Sequence, residues 1–397
     1  MNIRHLVLSI PFMAMGINVA AASTGFDSVL DTLVANNLEA RLTLDRAHGA
    51  VESLKGENTL GPVEVEFGRV WGSNAEVGNK WNLSVSQGFD WPGLYKARSE
   101  AAATATTALN YLRESTLLET RQQARLLLID IIYNNQLINL QEGLVERMNQ
   151  MEAYYRKASE AGLETRLDYN KTVVERIAVH RELHLLETRR EALRASLEAF
   201  NGGKDVTTLY AMIGNEYPQV DPARQAEAIA KLRERDPQYA AAVAQSEAAR
   251  SLVKVEKMNR LPGFSIGYVH ETELGGNFDG FSIGVSLPVW SRKHSAKAAA
   301  IEADASLLEA EMNLTRRRAE LEADGRQIAT LRHIIDEYAP VVKDTSNFEL
   351  LRKALDAGQI NFLTYLEEVN FFITAHRDYL DTLYEYNLAL VRRQFYE

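Results

Sequence analysis

Two histidines have the clearest spacing for chemistry in this chain. His180 and His184 lie one helical turn apart in the segment His-Arg-Glu-Leu-His, and imidazole groups at this spacing can bind a metal ion. The zinc-protease motif would need glutamate at position 181, where this chain has arginine. We therefore interpret the pair as part of a solvated helix face. The run from Arg316 to Arg318 is interpreted in the same way.

No other pattern in the sequence indicates catalysis. The chain contains no nucleophile–base set, no phosphate-binding glycine loop and no cysteine, so we expect neither an enzyme nor a bound cofactor or metal. Its formal net charge is −10, which argues against a nucleic-acid-binding face. The candidate functional residues are therefore turns and isolated charges.

The chain repeats itself. The segment Arg-Lys-Ala-Ser-Glu-Ala that ends at Gly162 reappears as Arg-Lys-Ala-Leu-Asp-Ala before Gly358, 196 residues later. Further upstream, Pro62 and Pro262 are related by an offset of 200 residues. A duplicated unit of about 200 residues means that each half builds a similar structure. We place the first repeat at 23–203, an irregular linker at 204–224 and the second repeat at 225–397.

The first 22 residues have the pattern of an export signal peptide. A basic start at Arg4 and His5 precedes an apolar stretch from Leu6 to Ala14, and three alanines at 20–22 allow cleavage before Ser23. We therefore expect an exported mature chain. No later run approaches the ~20 apolar residues that a membrane-spanning helix needs.

Four segments alternate apolar and polar residues, two in each repeat. Strands are predicted at 63–71 and 81–89 in the first repeat, and at 264–270 and 281–287 in the second. A period of two places the apolar side chains on one face of a strand. Loops rich in glycine and asparagine, at 72–80 and 271–280, join the two members of each pair.

The rest of each repeat is predicted to be helical. A helix at 26–57 precedes the first strands, and a very long one runs from Gly93 to Glu160 without a proline. The matching element at 291–357 is interrupted only by Gly325 and Pro340.

Each long helix is followed by a turn and a shorter helix. The shorter helices are predicted at 164–200 and 360–396. Apolar spacing near 3.5 in the first of them suggests a coiled-coil seam. Gly162 and Gly358 stand where the long helices must end, as helix-terminating glycines do.

The strands admit two interpretations. They could form a small sheet packed on the helices of a soluble protein. Alternatively, their apolar side chains could face lipid while the small or polar ones line a lumen, as in membrane barrels. Export, duplication and the long helices favour the barrel, which other subunits would have to complete because lipid forbids open sheet edges. Aromatic residues at or near the strand ends also fit, namely Trp71, Trp81, Phe89, Trp91, Tyr268 and Trp290.

The duplicated order of elements resembles the TolC-like outer membrane efflux proteins, including their CusC and OprM branches, over nearly all of the mature chain. The Ala161-Gly162 and Ala357-Gly358 turns carry the resemblance, together with strand pairs that enter long helices at Trp91-Pro92 and at 288–290. The resemblance implies a mainly α fold with a small β part, in which coiled-coil hairpins form a periplasmic tunnel. It also implies a homotrimer whose four strands per subunit make a 12-stranded barrel in the outer membrane of a Gram-negative bacterium.

The function implied by the resemblance is that of a channel subunit in a tripartite efflux system. Such a channel passively conducts substrates expelled by an inner membrane pump, here of the RND type, through a periplasmic adaptor protein. The candidate adaptor contacts are the two turns, comprising Ala161, Gly162, Leu163, Ala357, Gly358 and Gln359. Metal ions and drugs are both open as cargo, and a non-conducting periplasmic coiled-coil scaffold is the alternative function.

The resemblance also points to gate residues. Aligned on the turn glycines, Asp168 matches the family's gate aspartate in the first half, and Thr364 and Glu367 match its two acidic pore positions in the second. A trimer would turn each carboxylate into a ring of three, which attracts cations. The tyrosine and arginine of the family's gate correspond here to Leu355 and Ile360. The alternative is that Asp168 and Glu367 are solvated coiled-coil positions.

Overall fold

The computed structural model describes residues 19–73, 78–218, 232–288, 293–344 and 346–393. Two compact units can be distinguished. The hairpin unit comprises Met1–Asn36, Gln123–Asp221 and Ile328–Val391, and the sheet unit comprises Asn37–Gln122, Pro222–Gln327 and Arg392–Glu397. The predicted export signal up to residue 18, the linker from 219 onward, and Val289 and Trp290 lie outside the described residues.

The elements follow one another in the duplicated order that the sequence predicts. In the first repeat they are α1 (Val19–Asn36), α2 (Leu38–Gly56), β1 (Val63–Trp71), β2 (Asn79–Phe89), α3 (Pro92–Glu160), α4 (Arg166–Phe200) and α5 (Thr207–Ile213). In the second they are α6 (Leu232–Arg235), α7 (Pro237–Met258), β3 (Gly263–Glu273), β4 (Gly276–Ser286), α8 (Lys293–Lys343), α9 (Ser346–Asp356) and α10 (Phe362–Arg393).

In the hairpin unit, α3 and α4 pack in a seam with a seven-residue repeat. On α3 the buried positions include Asn134, Gln141 and Met148, each seven residues after the last. The Asn134 and Gln141 side-chain amides donate to the main-chain carbonyls of Leu186 and Val179 on α4, at 3.3 and 2.8 Å. Buried amides that must reach particular carbonyls fix the register of a coiled coil, because a shifted seam would leave them unpaired.

Four strands of the sheet unit, within the described residues, form one antiparallel sheet in the order β1-β2-β3-β4. The register places Val65, Val85, Tyr268 and Phe281 in one row across the sheet. Because side chains alternate, the neighbouring row on the opposite face contains polar and small residues, namely Glu64, Ser86, Gly267 and Ser282. The sheet therefore has one apolar and one polar face, as predicted.

The polar face is the closely packed one. A Cβ atom added to Gly267 would lie 2.7 Å from Ser282 Oγ, and one added to Gly263 would lie 2.6 Å from Ser286 Oγ. Gly284 and Gly68 are similarly blocked by Ser265 and Asn82 on neighbouring strands. A side chain at these positions would require the hydroxyl or amide of the adjacent strand to move.

The helices of the sheet unit approach closely because small residues line their contacts. Alanines on α3 and α7, including Ala101, Ala108 and Ala248, are buried. On α8, Ala296, Ala303 and Ala310 are buried at seven-residue intervals. The Ser246 hydroxyl of α7 donates to the Ala303 carbonyl at 2.7 Å.

Two predictions about helices near the linker and N-terminal region were wrong. The helix expected at 26–57 is interrupted, because Asn37 adopts an extended conformation and its side chain accepts from the Ala40 N–H at 2.8 Å, which starts α2 anew.

The linker at 204–224 is not irregular throughout, since it contains α5. Ile213 of this helix is buried against Val29 and other residues of α1 and α3 in one apolar cluster, so packing stabilises a helix that the sequence did not predict.

Two connections in the second repeat also differ from the prediction. The loop expected at 271–280 is a two-residue turn, because Leu274 and Gly275 take φ angles of 49° and 79°. As a result β3 extends to Glu273 and β4 begins at Gly276. The second long helix passes through Gly325 and Pro340 without ending. It ends instead at Lys343, and Asp344 Oδ1 then accepts from the Ser346 N–H at 3.0 Å at the start of α9.

We expect Gly162→Ala to lower the unfolding free energy by roughly 1 kcal/mol. Gly162 has a φ of 73°, and no atom of the surrounding chain lies within 4 Å of the place that an added Cβ would take, so the cost comes from backbone conformation and not from crowding. Gly143→Ala is the matched control, because Gly143 is equally open but lies inside helix α3 and should gain stability. The denaturant midpoints of both variants are measured by circular dichroism. A shift of the two midpoints in the same direction would contradict the prediction.

Candidate functional site

The two predicted turns have the same hydrogen-bond pattern. After α3, the Leu163 N–H donates to the Ala158 carbonyl at 2.8 Å and the Gly162 N–H to the Ser159 carbonyl at 3.2 Å. After α9, the Gln359 and Gly358 N–H groups donate to the carbonyls of Ala354 and Leu355, both at 2.9 Å. Both turns are Schellman motifs, which need a left-handed residue at the glycine position. Gly162 and Gly358 have φ angles of 73° and 69°, as the sequence predicts.

The turn residues project into solvent. Leu163 is 80% exposed, and the other five candidate adaptor contacts, Ala161, Gly162, Ala357, Gly358 and Gln359, are exposed as well. The two hairpins pack together close to these turns, because the ring of Tyr155 on α3 lies 4.4 Å from that of Phe362 on α10. Both turns are therefore presented at one end of the hairpin unit.

Asp168 belongs to the cap of helix α4. The Thr165 hydroxyl accepts from the Asp168 N–H at 3.1 Å and donates to the Asp168 carboxylate at 2.5 Å. Thr364 occupies the same place in the second repeat, since its N–H donates to the side chain of the α10 cap residue Asn361 at 2.9 Å. This capping role was not predicted from the sequence, although Thr165-Arg-Leu-Asp168 has the spacing of a capping box.

The environment of Asp168 favours its charged form. The hydrogen bond from Thr165, and then the hydrogen bond and charge of Lys171 at 3.4 Å, hold the pKa of the Asp168 carboxyl below its ordinary value of 3.8. The α4 N-terminus, where the carboxylate sits, also favours negative charge. Asp168 therefore stabilises the turn from which α4 starts.

Glu367 has different surroundings. It is exposed and makes no hydrogen bond or ion pair with any residue that the structure describes. It lies one turn from Leu363 and one turn from Phe371 on the same face of α10, and these apolar side chains are 53% and 66% exposed. Within the described residues no hydrogen bond or ion pair links Glu367 to Asp168, so the two carboxylates do not form a pair in one chain.

The positions matched to the family's gate tyrosine and arginine serve the core instead. Leu355 and Ile360 pack against the apolar cluster around Tyr155, Phe362 and Tyr365. An arginine–aromatic contact between the hairpins occurs elsewhere, because the Arg147 guanidinium of α3 lies 3.9 Å above the ring of Phe348 on α9. The sequence contains no local signal for this contact, since the two residues are 201 positions apart.

The histidines do not converge on a shared site. His180 Nε2 lies 3.1 Å from Asn149 Oδ1, whereas His184 Nδ1 lies 3.1 Å from Glu187 on its own helix. Across the described residues, no group of three or more His, Asp or Glu side chains is arranged to hold a metal ion. Arg316 and Arg318 form exposed pairs with Glu320 and Glu322, as predicted for a solvated helix face. Arg317 departs from this prediction, because it is half-buried and its Nη2 atom is shielded from solvent.

In the part of the chain that the structure describes, no helix has the length and apolar character needed to cross a membrane.

Solved structures with the same fold include outer membrane channels. The chain is similar to the Campylobacter jejuni CmeC outer membrane channel, with a TM-score of 0.75 and 13% identity, over 94% of this chain and 85% of that one. It is also similar to the Vibrio cholerae outer membrane protein VceC, with a TM-score of 0.72 and 13% identity, over 94% of this chain and 96% of that one. The similarity to the channel-forming CusC has a TM-score of 0.71 and 13% identity, over 93% of this chain and 91% of that one. No protein-family model and no curated protein matches the sequence. The TolC-like fold that the sequence predicts is confirmed.

We expect Asp168→Asn to lower thermal stability at neutral pH and to have little effect in acid. The folded carboxyl has a pKa below its ordinary value, so its stabilisation is present above about pH 4 and is lost as the pH falls through the folded pKa. Unfolding temperatures of parent and variant between about pH 3 and pH 7 test this. In a Thr165→Val background, which lacks the main hydrogen-bond donor, the pH dependence of the difference should shrink. An equal difference at every pH would contradict the capping role.

Proposed function

We propose that this chain is a subunit of an outer membrane efflux channel. The observation that carries the proposal is that the apolar face of the sheet is left exposed. Phe281 and Ile283 on β4 are 88% and 81% exposed. A sheet in a soluble protein has the opposite arrangement, because it buries its apolar side chains.

Lipid is the environment that fits this sheet. In outer membrane barrels the apolar side chains face lipid and the polar ones face the lumen. Trp71 and Trp91 at strand ends are 69% and 40% exposed, as expected of side chains near the membrane–water interfaces. Tyr268, which the sequence suggested lies near a strand end, is instead the central residue of β3, because this strand extends to Glu273. These features, together with the fold, support a location in the outer membrane of a Gram-negative bacterium.

The sheet also supports assembly from several copies. Within the described residues, the outer edges of β1 and β4 have no strand partner, and lipid cannot satisfy their N–H and C=O groups. Strands alternate in direction, so β4 of one copy can pair antiparallel with β1 of the next and continue the alternation. Three copies would then close a 12-stranded barrel, the homotrimer that the resemblance implies.

The hairpin unit is proposed to supply the contacts of the channel with its partner proteins. Its two exposed turns are proposed to contact a periplasmic adaptor, through which an inner membrane pump of the RND type expels the substrate. The channel itself conducts passively. Asp168 and Thr364 are proposed to act indirectly, by holding the starts of α4 and α10 in place.

Glu367 is the proposed gate residue that acts by its charge. The apolar side chains of Leu363 and Phe371 flank it on an exposed helix face, which favours contact of this face with other copies around the trimer axis. Three carboxylates close to the axis would attract cations.

Substituting lysine on either face of the sheet tests the proposed function. Phe281→Lys should strongly reduce the amount of folded trimer in outer membranes, because lysine on the lipid face of a barrel costs about 2–4 kcal/mol at the bilayer midplane. Ser84→Lys is the matched control, since Ser84 lies on the polar face opposite Glu66 and the new lysine meets a carboxylate.

The measurements are membrane extraction with salt and urea, and particle size in mild detergent. The parent and Ser84→Lys should resist extraction and remain trimeric. A parent protein that washes off the membrane would favour the periplasmic scaffold. If the Phe281→Lys protein inserted into the membrane normally and the Ser84→Lys protein did not, the apolar face would not be the one exposed to lipid.

We expect Glu367→Gln to reduce cation preference and block by multivalent cations in planar bilayer recordings, without loss of the trimer. Glu368→Gln is the control, because the next residue points about 100° away around the helix. Equal selectivity of all three proteins would contradict the assignment of Glu367 to the pore.

A further inference from the structure

A charged residue breaks the apolar run on each of the two edge strands of the sheet. On the apolar face of β1 the run reaches Phe67 and is broken by Arg69, and on the same face of β4 it reaches Phe281 and is broken by Asp279. Both breaks lie towards the end of the sheet where β1 leads into β2 and β3 into β4, which we call the turn end. Within the described residues Arg69 forms no ion pair, and its guanidinium lies 5.7 Å from the ring of Trp71.

The limit of the apolar run slopes across the sheet. Phe281 stands in the same row as Val65, whereas the run on β1 continues to Phe67. A row therefore climbs towards the turn end, relative to this limit, as it passes from β1 to β4. Strands that are tilted from the membrane normal produce such a slope, because the limit follows the membrane plane and the rows run perpendicular to the strands.

The tilt restricts how β4 can pair with β1 of the next copy. Side-chain alternation keeps apolar residues on one face, so the possible registers differ by two residues. The row from Val65 to Phe281 can continue to Phe67, Arg69 or Trp71 of the next copy, and we call these the low-tilt, middle and high-tilt registers. In a 12-stranded barrel they incline the strands by about 19°, 35° and 46° to the axis. Membrane barrels have tilts of about 35–45°, which argues against the low-tilt register.

The glycines of the polar face favour the middle register. Among the strand pairs that the structure describes, no glycine faces another glycine, and Gly68 faces Asn82. Two facing glycines would leave neighbouring strands without a side-chain contact at that position. The middle register places Gly68 opposite Ser282 of the other copy. The low-tilt and high-tilt registers would place it opposite Gly280 and Gly284.

Two prolines favour the same register. Pro62 precedes β1, and Pro288 follows β4. In the middle register they lie opposite each other, just beyond the paired residues. The low-tilt register would place Pro62 opposite Ser286, and the high-tilt register would place Pro288 opposite Glu64. Because proline cannot donate a ladder hydrogen bond, a register that keeps both prolines outside the ladder is the better one.

Resting on the proposed channel function, we propose that β4 of one copy pairs with β1 of the next in the middle register. Arg69 and Asp279, which break the two apolar runs, then become diagonal neighbours across the junction, within reach of a long side chain. The register bears on conduction because strand number and tilt together set the diameter of a barrel. Direct partners across the junction include Val65 with Val285 and Phe67 with Ile283.

Four double-cysteine variants test the register. The chain contains no cysteine, so Val65→Cys and Phe67→Cys can each be combined with Ile283→Cys and with Val285→Cys. Val65 with Val285 and Phe67 with Ile283 are the matched pairs. Val65 with Ile283 are direct partners only in the low-tilt register, and Phe67 with Val285 only in the high-tilt one. Each substitution occurs once in a matched and once in a mismatched pair, so a defect of one substitution cannot imitate the result.

Oxidation in outer membranes, followed by electrophoresis without reductant, measures the covalent trimer. Both matched pairs should form it, because direct cross-strand partners lie within the Cα separation of about 4.4–6.8 Å that a disulfide needs. Both mismatched pairs should form little, since diagonal neighbours are about 7–8 Å apart.

Several results would overturn the register. These are a covalent trimer mainly from a mismatched pair, equal cross-linking of all four variants, or no cross-linking while the variants remain trimeric in mild detergent. A parent protein that is monomeric in detergent would instead count against the proposed function.

Discussion

The sheet exposes its apolar side chains, and the rest of the molecule has to accommodate that arrangement. On the polar face, glycines lie opposite Ser265, Ser282 and Ser286, whose hydroxyls would have to move to admit a side chain. The apolar face carries large side chains such as Phe281 that contact little of their own chain. Water is a poor solvent for such a face and lipid is a good one. The proposed channel of several copies would satisfy both the apolar face and the strand edges.

The helices obey the opposite rule, since they bury apolar side chains against one another. Their polar residues provide register where apolar packing alone would not. Asn134 and Gln141 fix α3 against α4, and hydrogen bonds from Tyr133 to Asp381 and from Tyr384 to Asp130 join α3 to α10. These directional groups lie at a few positions along long apolar seams.

The candidate site was predictable in position but only partly in role. The turn glycines follow from sequence, because a left-handed residue after a helix is a local requirement. The capping role of Asp168 is also local, because its spacing from Thr165 is that of a capping box. Glu367 is different, because its role depends on what covers the face it shares with Leu363 and Phe371. The contacts of Arg147 with Phe348 and of Tyr133 with Asp381 join residues more than 200 positions apart, and no local pattern encodes them.

The sequence by itself determined the duplicated order of elements, the two-faced strands and the helix-ending turns at Gly162 and Gly358. These features depend on periodicity and on backbone preferences, which act over a few residues. Only the tertiary structure decided that 207–213 is helical, that α2 starts anew after Asn37, and that β3 and β4 meet in a two-residue turn. It alone decided which polar side chains join the hairpins. Such outcomes depend on the burial and hydrogen bonding that distant segments provide, and one segment of sequence carries no record of its partner.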